Sequence, residues 1–204
     1  MPEAGDDADY ADRIAATADA KRDAWQRTID EMRAIAEELD ADGWAVTTAG
    51  ADHTAPEPPD AGPEGRYGLV HVVPGNVAED VRDALSRAAG GDALDASGGA
   101  GRELDAFGRY EVFRKEVGND VFQVTVLFDD DTETALLLAG SYELTYVEGL
   151  LRAAVERDAV YTHVQTLDGT TVASFRHEDP SLFFPNAEAR VGGDREGDGG
   201  GGPE

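Results

Sequence analysis

Four histidines, five serines and no cysteine bound the chemistry open to this chain of 204 residues. Without thiols there is no disulfide, thiolate metal site, cysteine nucleophile or iron–sulfur cluster. His163 and His177 flank Asp168-Gly169, the strongest short hairpin signal in the sequence. A two-residue turn there pairs Leu167 with Thr170, and therefore His163 with Ser174 and His177 with Val160. Alternation then sets the two histidines on opposite faces, where they cannot share a metal ion. His71 lies inside an apolar run and His53 in a proline-rich stretch. No recognisable ligand spacing joins the four, so neither a metal nor a cofactor is expected. Asp129, Asp131 and Glu133 imitate the start of a calcium loop, but Thr134 stands where glycine is needed and Gly140 where the closing glutamate is needed.

Two further patterns bear on ligand binding. Val73-Pro-Gly-Asn76 leads a strand straight into a helix, and free N–H groups at that start, around Gly75 and Asn76, suit a phosphate or carboxylate. Neither GxGxxG nor GxxxxGK[ST] accompanies it, so a plain capped turn is the preferred reading. The serines sit in no GxSxG or SxxK motif, and no HExxH occurs. A Ser/His/acid set assembled only in space would draw on His163, since such sets are defined by geometry and not by chain order.

Charge dominates the composition. Forty-three Asp plus Glu face 17 Lys plus Arg, a formal net charge of -26, and only Lys21 and Lys115 are lysines. An ordinary small domain carries a net charge of magnitude about 2–8. In dilute buffer such a chain repels itself. At molar salt the Debye length falls to about 3 Å and most of the repulsion is screened. The balance therefore points to a salt-rich cytoplasm. It also argues against nucleic acid, whose phosphates need clustered cations, and against an anionic membrane surface. No apolar run approaches the ~20 residues of a membrane span.

These side chains need elements to position them. Ile14, Ala18, Trp25, Ile29, Met32, Ala36 and Leu39 form one stripe of a helix from about Tyr10 to Leu39. A strand follows at Trp44–Thr48. Residues 50–66, with Pro56, Pro58, Pro59 and Pro63, read as a loop. Tyr67–Val73 is a strand, and Asn76 with Glu79 caps a second helix. Residues 89–104 are a Gly-rich loop. A meander occupies 107–117, 121–128 and 134–142, with Ala135–Ala139 apolar on both faces as an inner strand would be. Thr145 with Glu148 forms a capping box for a third helix, and the 160–167/170–176 hairpin closes the fold. The order α-β-β-α-β-β-β-α-β-β gives an α+β domain over residues 10–186, with three helices and about seven strands in a mainly antiparallel sheet. Residues 1–9 and 187–204 read as disordered ends.

The register of 107–117 stays open between two turns. A two-residue Gly118-Asn119 turn sets Phe113 beside Val124 and turns Arg109 and Glu111 toward the core side, where an Arg–Glu pair could line a cleft. A three-residue turn through Asp120 brings Tyr110 and Val112 to Phe128 and Val126. The second is preferred because it buries no charge.

The segments DGWAV (42–46), HTAPEPPDAG (53–62), YGLVHVVPGN (67–76), RYEVFRKEVG (109–118), ETALLLAGSYEL (133–144), YTHVQTLDGT (161–170) and FRHEDPSLFFP (175–185) resemble an uncharacterised protein family of haloarchaea, over roughly Trp25 to Pro185. The resemblance implies a salt-filled cytoplasm and assigns no activity, catalytic residue, ligand or cofactor. The reading that follows is a non-catalytic binding or interaction module, with ligand-contact candidates at Gly75, Asn76, His163 and Arg109. The alternative is a metal-independent hydrolase, or a phosphate-ligand enzyme using the helix start at Asn76. The overlong first helix, the doubly apolar strand and Leu182-Phe183-Phe184 all call for cover. The long helix, with Trp25 and Ile29, covers one sheet face within its own chain or pairs with its twin across a two-fold axis; the homodimer is preferred, since an intrachain cover leaves the helix's first turns without a partner.

Overall fold

A computed structural model of the chain describes residues 4–88, 107–187 and 190; for residues 4–14 and Glu64 only the backbone is described. The apolar stripe makes one helix, α1 (Ala4–Ala41), about 57 Å long at 1.5 Å per residue. It begins ahead of Tyr10 and ends in a turn through Gly43, whose φ of 96° suits glycine.

The α+β class and the three helices are as expected, but eight strands form two mixed sheets. The first has the order β1 (Ala45–Gly50), β6 (Thr134–Glu143), β5 (Asp120–Asp129), β4 (Arg109–Val117), and the second β2 (His53–Glu57), β3 (Gly68–Val73), β7 (Val160–Thr166), β8 (Thr171–His177). β1 runs parallel to β6 and β3 parallel to β7; the other pairs are antiparallel. The extra strand is β2, inside the segment read as a loop. Pro56 lies opposite Leu69 and is tolerated because β2 is an edge strand, where a missing N–H interrupts no second ladder. The Gly-rich stretch from residue 89 and the tail from residue 191 lie outside the described residues.

The apolar β6 is an inner strand, as its sequence requires, and its cover comes from its own chain. On one face Trp25, Ile29, Met32, Ala36 and Leu39 of α1 pack on Val124, Val126, Phe128, Leu137 and Ala139. On the other face the second sheet packs, with α2 (Gly75–Ala88) filling one end of the interlayer. The helix α3 (Glu148–Arg157) fills the other end with Phe183 and Phe184. Those two phenylalanines are therefore core plugs and not an external patch; only Leu182 beside them is exposed. Burying a Leu, Ile or Phe side chain is worth roughly 1.5–3 kcal/mol, which is why an all-apolar strand ends up covered on both sides.

Four local expectations need correction. Helix α2 already begins at Gly75, so Asn76 sits within its first turn and Pro74 precedes it; the Ala78 N–H bonds the Pro74 carbonyl. Val147, not Thr145, stands at the start of α3, because residues 144–146 tighten into a 3-10 turn first. The third correction concerns β4. Val117 pairs with Asp120, so the turn is Gly118-Asn119, and Phe113 faces Val124, Glu111 faces Val126 and Arg109 faces Phe128. The charge penalty that argued against this register does not arise. β4 is an edge strand, so Arg109 and Glu111 lie on the covered face yet reach solvent at its margin.

The last correction concerns the final hairpin. The Gly169 N–H bonds the Thr166 carbonyl and the Thr166 N–H bonds the Thr170 carbonyl, so the loop is the three residues 167–169 and only Gly169 has a positive φ, 86°. A three-residue loop shifts the pairing by one. A bulge at Val164/Gln165 shifts it back, so His163 still faces Ser174 and His177 still faces Val160. The expected pairs form, by a different route.

Candidate functional site

The four residues singled out in the sequence are not assembled into one site: no hydrogen bond or ion pair joins any two of them. Gly75 and Asn76 are exposed at the start of α2. Arg109 at the head of β4 lies 3.6 Å from the centre of the Phe128 ring, and pairs with Asp130 at 3.0 Å and Glu111 at 3.2 Å. It stacks on Phe128 and Trp44 of the α1 cluster by cation–π contacts. Among the described residues no group of three or more His, Asp or Glu is placed to hold a metal ion.

His163 does meet a serine. Its Nε2 lies 3.0 Å from the Tyr67 carbonyl, which can only accept, so Nε2 carries the proton. Nδ1 is then the acceptor for the Ser174 hydroxyl at 2.8 Å. A serine, a neutral base and a group orienting that base are the parts of a nucleophilic dyad. Two features weaken it: the orienting group is a carbonyl instead of a carboxylate, and His163 and Ser174 are only 3% and 6% exposed. Burial lowers the His163 pKa, which keeps the ring neutral.

The other two strand histidines form a separate polar belt between the sheets. His71 and His177 are fully buried, with Thr54 and Thr162 on the second sheet and Gln123 and Thr125 on the first. His177 Nε2 lies 3.0 Å from Thr162 Oγ1, and its ring packs 4.6 Å from those of Tyr110 and Phe183. His71 faces Gly140, the cross-strand partner of Gln123. A methyl group on Gly140 would meet Thr54 Oγ1 and lie 2.7 Å from His71 Nε2, so glycine is what lets the sheets close here. Thr54 Oγ1, His71 Nε2, both amide atoms of Gln123, Thr125 Oγ1 and His177 Nδ1 are buried with no protein partner. Burial pushes the His71 pKa down to about 4 and that of His177 down to about 3, the latter helped by its histidine neighbours. Both rings are neutral at pH 7. Sequence reading missed the belt because its members come from five strands, and only polar residues inside apolar runs, such as His71, Gln123 and Thr125, hinted at it.

The surface feature is a groove between α1 and the meander. A cavity of about 230 Å³ is lined by Ala20, Asp23, Ala24, Arg27, Thr28 and Glu31 of α1 and by Phe113, Arg114, Lys115, Val117 and Phe122 of the hairpin. A second hollow continues it along Ala16, Thr17, Ala20, Lys21 and Val117. It lies where α1, packed mainly on β1, β5 and β6, approaches β4 less closely, with the small side chains of Ala20 and Ala24 among those that face it. Lys21 ties the helix to Asp120 at 2.6 Å. Phe113, the large apolar side chain at the rim, is 37% exposed.

The model of a family of unknown function, DUF7529, matches residues 11–185. No curated protein and no solved structure matches.

Proposed function

The chain belongs to the family of unknown function DUF7529, and we propose that it is a non-catalytic interaction module whose binding surface is the groove between α1 and β4. One observation carries this reading: the groove is open and mainly apolar, with Phe113 presented at its rim. Convergent polar groups, the mark of an active site, lie buried between the sheets instead. Arg27, Arg114 and Lys115 stand against Asp23 and Glu31 around the groove, so an otherwise strongly anionic surface presents here a patch without net negative charge that suits an apolar segment of a protein.

A neutral apolar dye, Nile red, tests it. Its fluorescence should rise on adding the native protein and fall back with Ala20→Trp, which fills the groove from an exposed helix position; Leu167→Ser, on the far hairpin, serves as control. No enhancement, or enhancement indifferent to Ala20→Trp, overturns the reading.

The Ser174–His163 hydrogen bond supports a second reading, a metal-independent hydrolase. A fluorophosphonate adduct on Ser174 that is lost in His163→Ala would establish it. No adduct on the folded protein would remove it.

The net charge supports a cytoplasm of concentrated salt as the working solvent. The melting temperature should then climb between dilute buffer and molar KCl; a salt-independent melt contradicts this.

A further inference from the structure

β4 has one free edge. It pairs with β5 on one side, and among the described residues no strand and no backbone hydrogen bond occupies the other. Val117 and Asp120 close a two-residue turn as a hydrogen-bonded pair, so the odd-numbered residues of β4 bond inward to β5. The N–H and C=O groups of Tyr110, Val112, Arg114 and Glu116 therefore point outward, where an exposed edge is a template for another strand.

We propose that this edge pairs with the same edge of a second copy, β4 against β4 in antiparallel register about a two-fold axis at Phe113. This inference rests on reading the α1–β4 groove as the binding surface, and it names how that surface is completed.

Geometry leaves little choice of register. A two-fold axis normal to the sheet matches each face with itself, so only residues of equal parity can stand opposite one another. Outward bonding by even residues makes the odd pairs the close, non-hydrogen-bonded ones. Phe113 is the midpoint of Arg109–Val117, so centring there overlaps the whole strand. The same centring sets Glu111 opposite the partner's Lys115, and Lys115 opposite the partner's Glu111. These are two opposite-charge pairs at the spacing where cross-strand partners interact. The exposed Phe113 rings meet at the axis.

Charge complementarity selects a second copy as occupant. The chain as a whole repels itself at -26, yet β4 carries Arg109, Arg114 and Lys115 against Glu111 and Glu116, including one of its two lysines. It is a stretch where two anionic molecules can touch without net repulsion. Pairing would bring the two grooves side by side on one face of a continuous eight-stranded sheet, flanking the axis, with Phe113 and its twin as the shared floor.

Sedimentation equilibrium at tens of micromolar in 0.5 M KCl tests the proposal. Wild type should run as a dimer. Glu111→Lys and Lys115→Glu should each raise the dissociation constant at least tenfold, because each places like charges across the axis, and the double exchange should restore dimerisation. As a second measurement, Phe113→Cys introduces the chain's only thiol at the axis, where Cα atoms of a non-hydrogen-bonded pair stand close enough for a disulfide. It should crosslink in mild oxidant while Leu167→Cys does not. A monomer at all concentrations overturns the pairing and leaves the groove reading standing if Nile red still binds. A dimer unaffected by both charge reversals, or a Phe113→Cys variant that folds and dimerises without crosslinking, also overturns it.

Discussion

The buried histidines make acid sensitivity a direct consequence of the fold. In the unfolded chain His71 and His177 titrate near 6.5, whereas in the folded protein burial holds them near 4 and 3. As pH falls through 6.5 the unfolded chain takes up two protons that the folded chain refuses. Their contribution is thus fully present above the unfolded value and is lost as pH falls toward the folded values. From pH 7 to 5.5 each histidine costs about 1.3 kcal/mol and the two together about 2.5 kcal/mol. His163, also lowered by burial, adds in the same direction. Urea titrations followed by the fluorescence of Trp25 and Trp44, at pH 7 and 5.5 in one molar KCl concentration, should show the midpoint moving to lower urea at the lower pH. The double variant His71→Gln/His177→Gln should lose most of that dependence, and each single variant a smaller share, with the remainder left to His163. Equal midpoints at the two pH values, or an unchanged slope in the double variant, would refute the placement of these rings in a dry interlayer.

Two further outcomes test the backbone. Gly140→Ala drives a methyl group into Thr54 and His71 at the closest approach of the sheets, and overpacking of this kind costs about 1–3 kcal/mol; a melting temperature equal to wild type would mean the sheets sit further apart. Gly169→Val forces a β-branched residue to adopt φ 86° and should cost ~1 kcal/mol or more, with a neutral denaturant titration arguing against the three-residue loop.

Local patterns carried much of this architecture. A helix stripe repeats every three or four residues, so Trp25, Ile29, Met32 and Leu39 marked α1 and its buried face. Ala135–Ala139 could only be an inner strand, because five consecutive apolar residues satisfy no one-sided sheet. The pairing of His163 with Ser174 followed from the hairpin alone, although a bulge and a longer loop had to cancel for it to hold. Composition alone marked the molecule's anionic, thiol-free surface.

What only the tertiary structure decided was non-local. Whether Pro56 belongs to a loop or a strand depends on where the sheet ends, and proline is excluded only from strands with two neighbours. The register of β4 turned on the same fact: Arg109 and Glu111 escape burial because no strand among the described residues lies beyond them, so the desolvation argument that favoured the other turn had nothing to act on. The polar belt and the groove are likewise invisible to periodicity. Thr54, His71, Gln123, Thr125 and His177 each sit correctly within their own strand, and only the packing of two sheets, distant in sequence, makes neighbours of them.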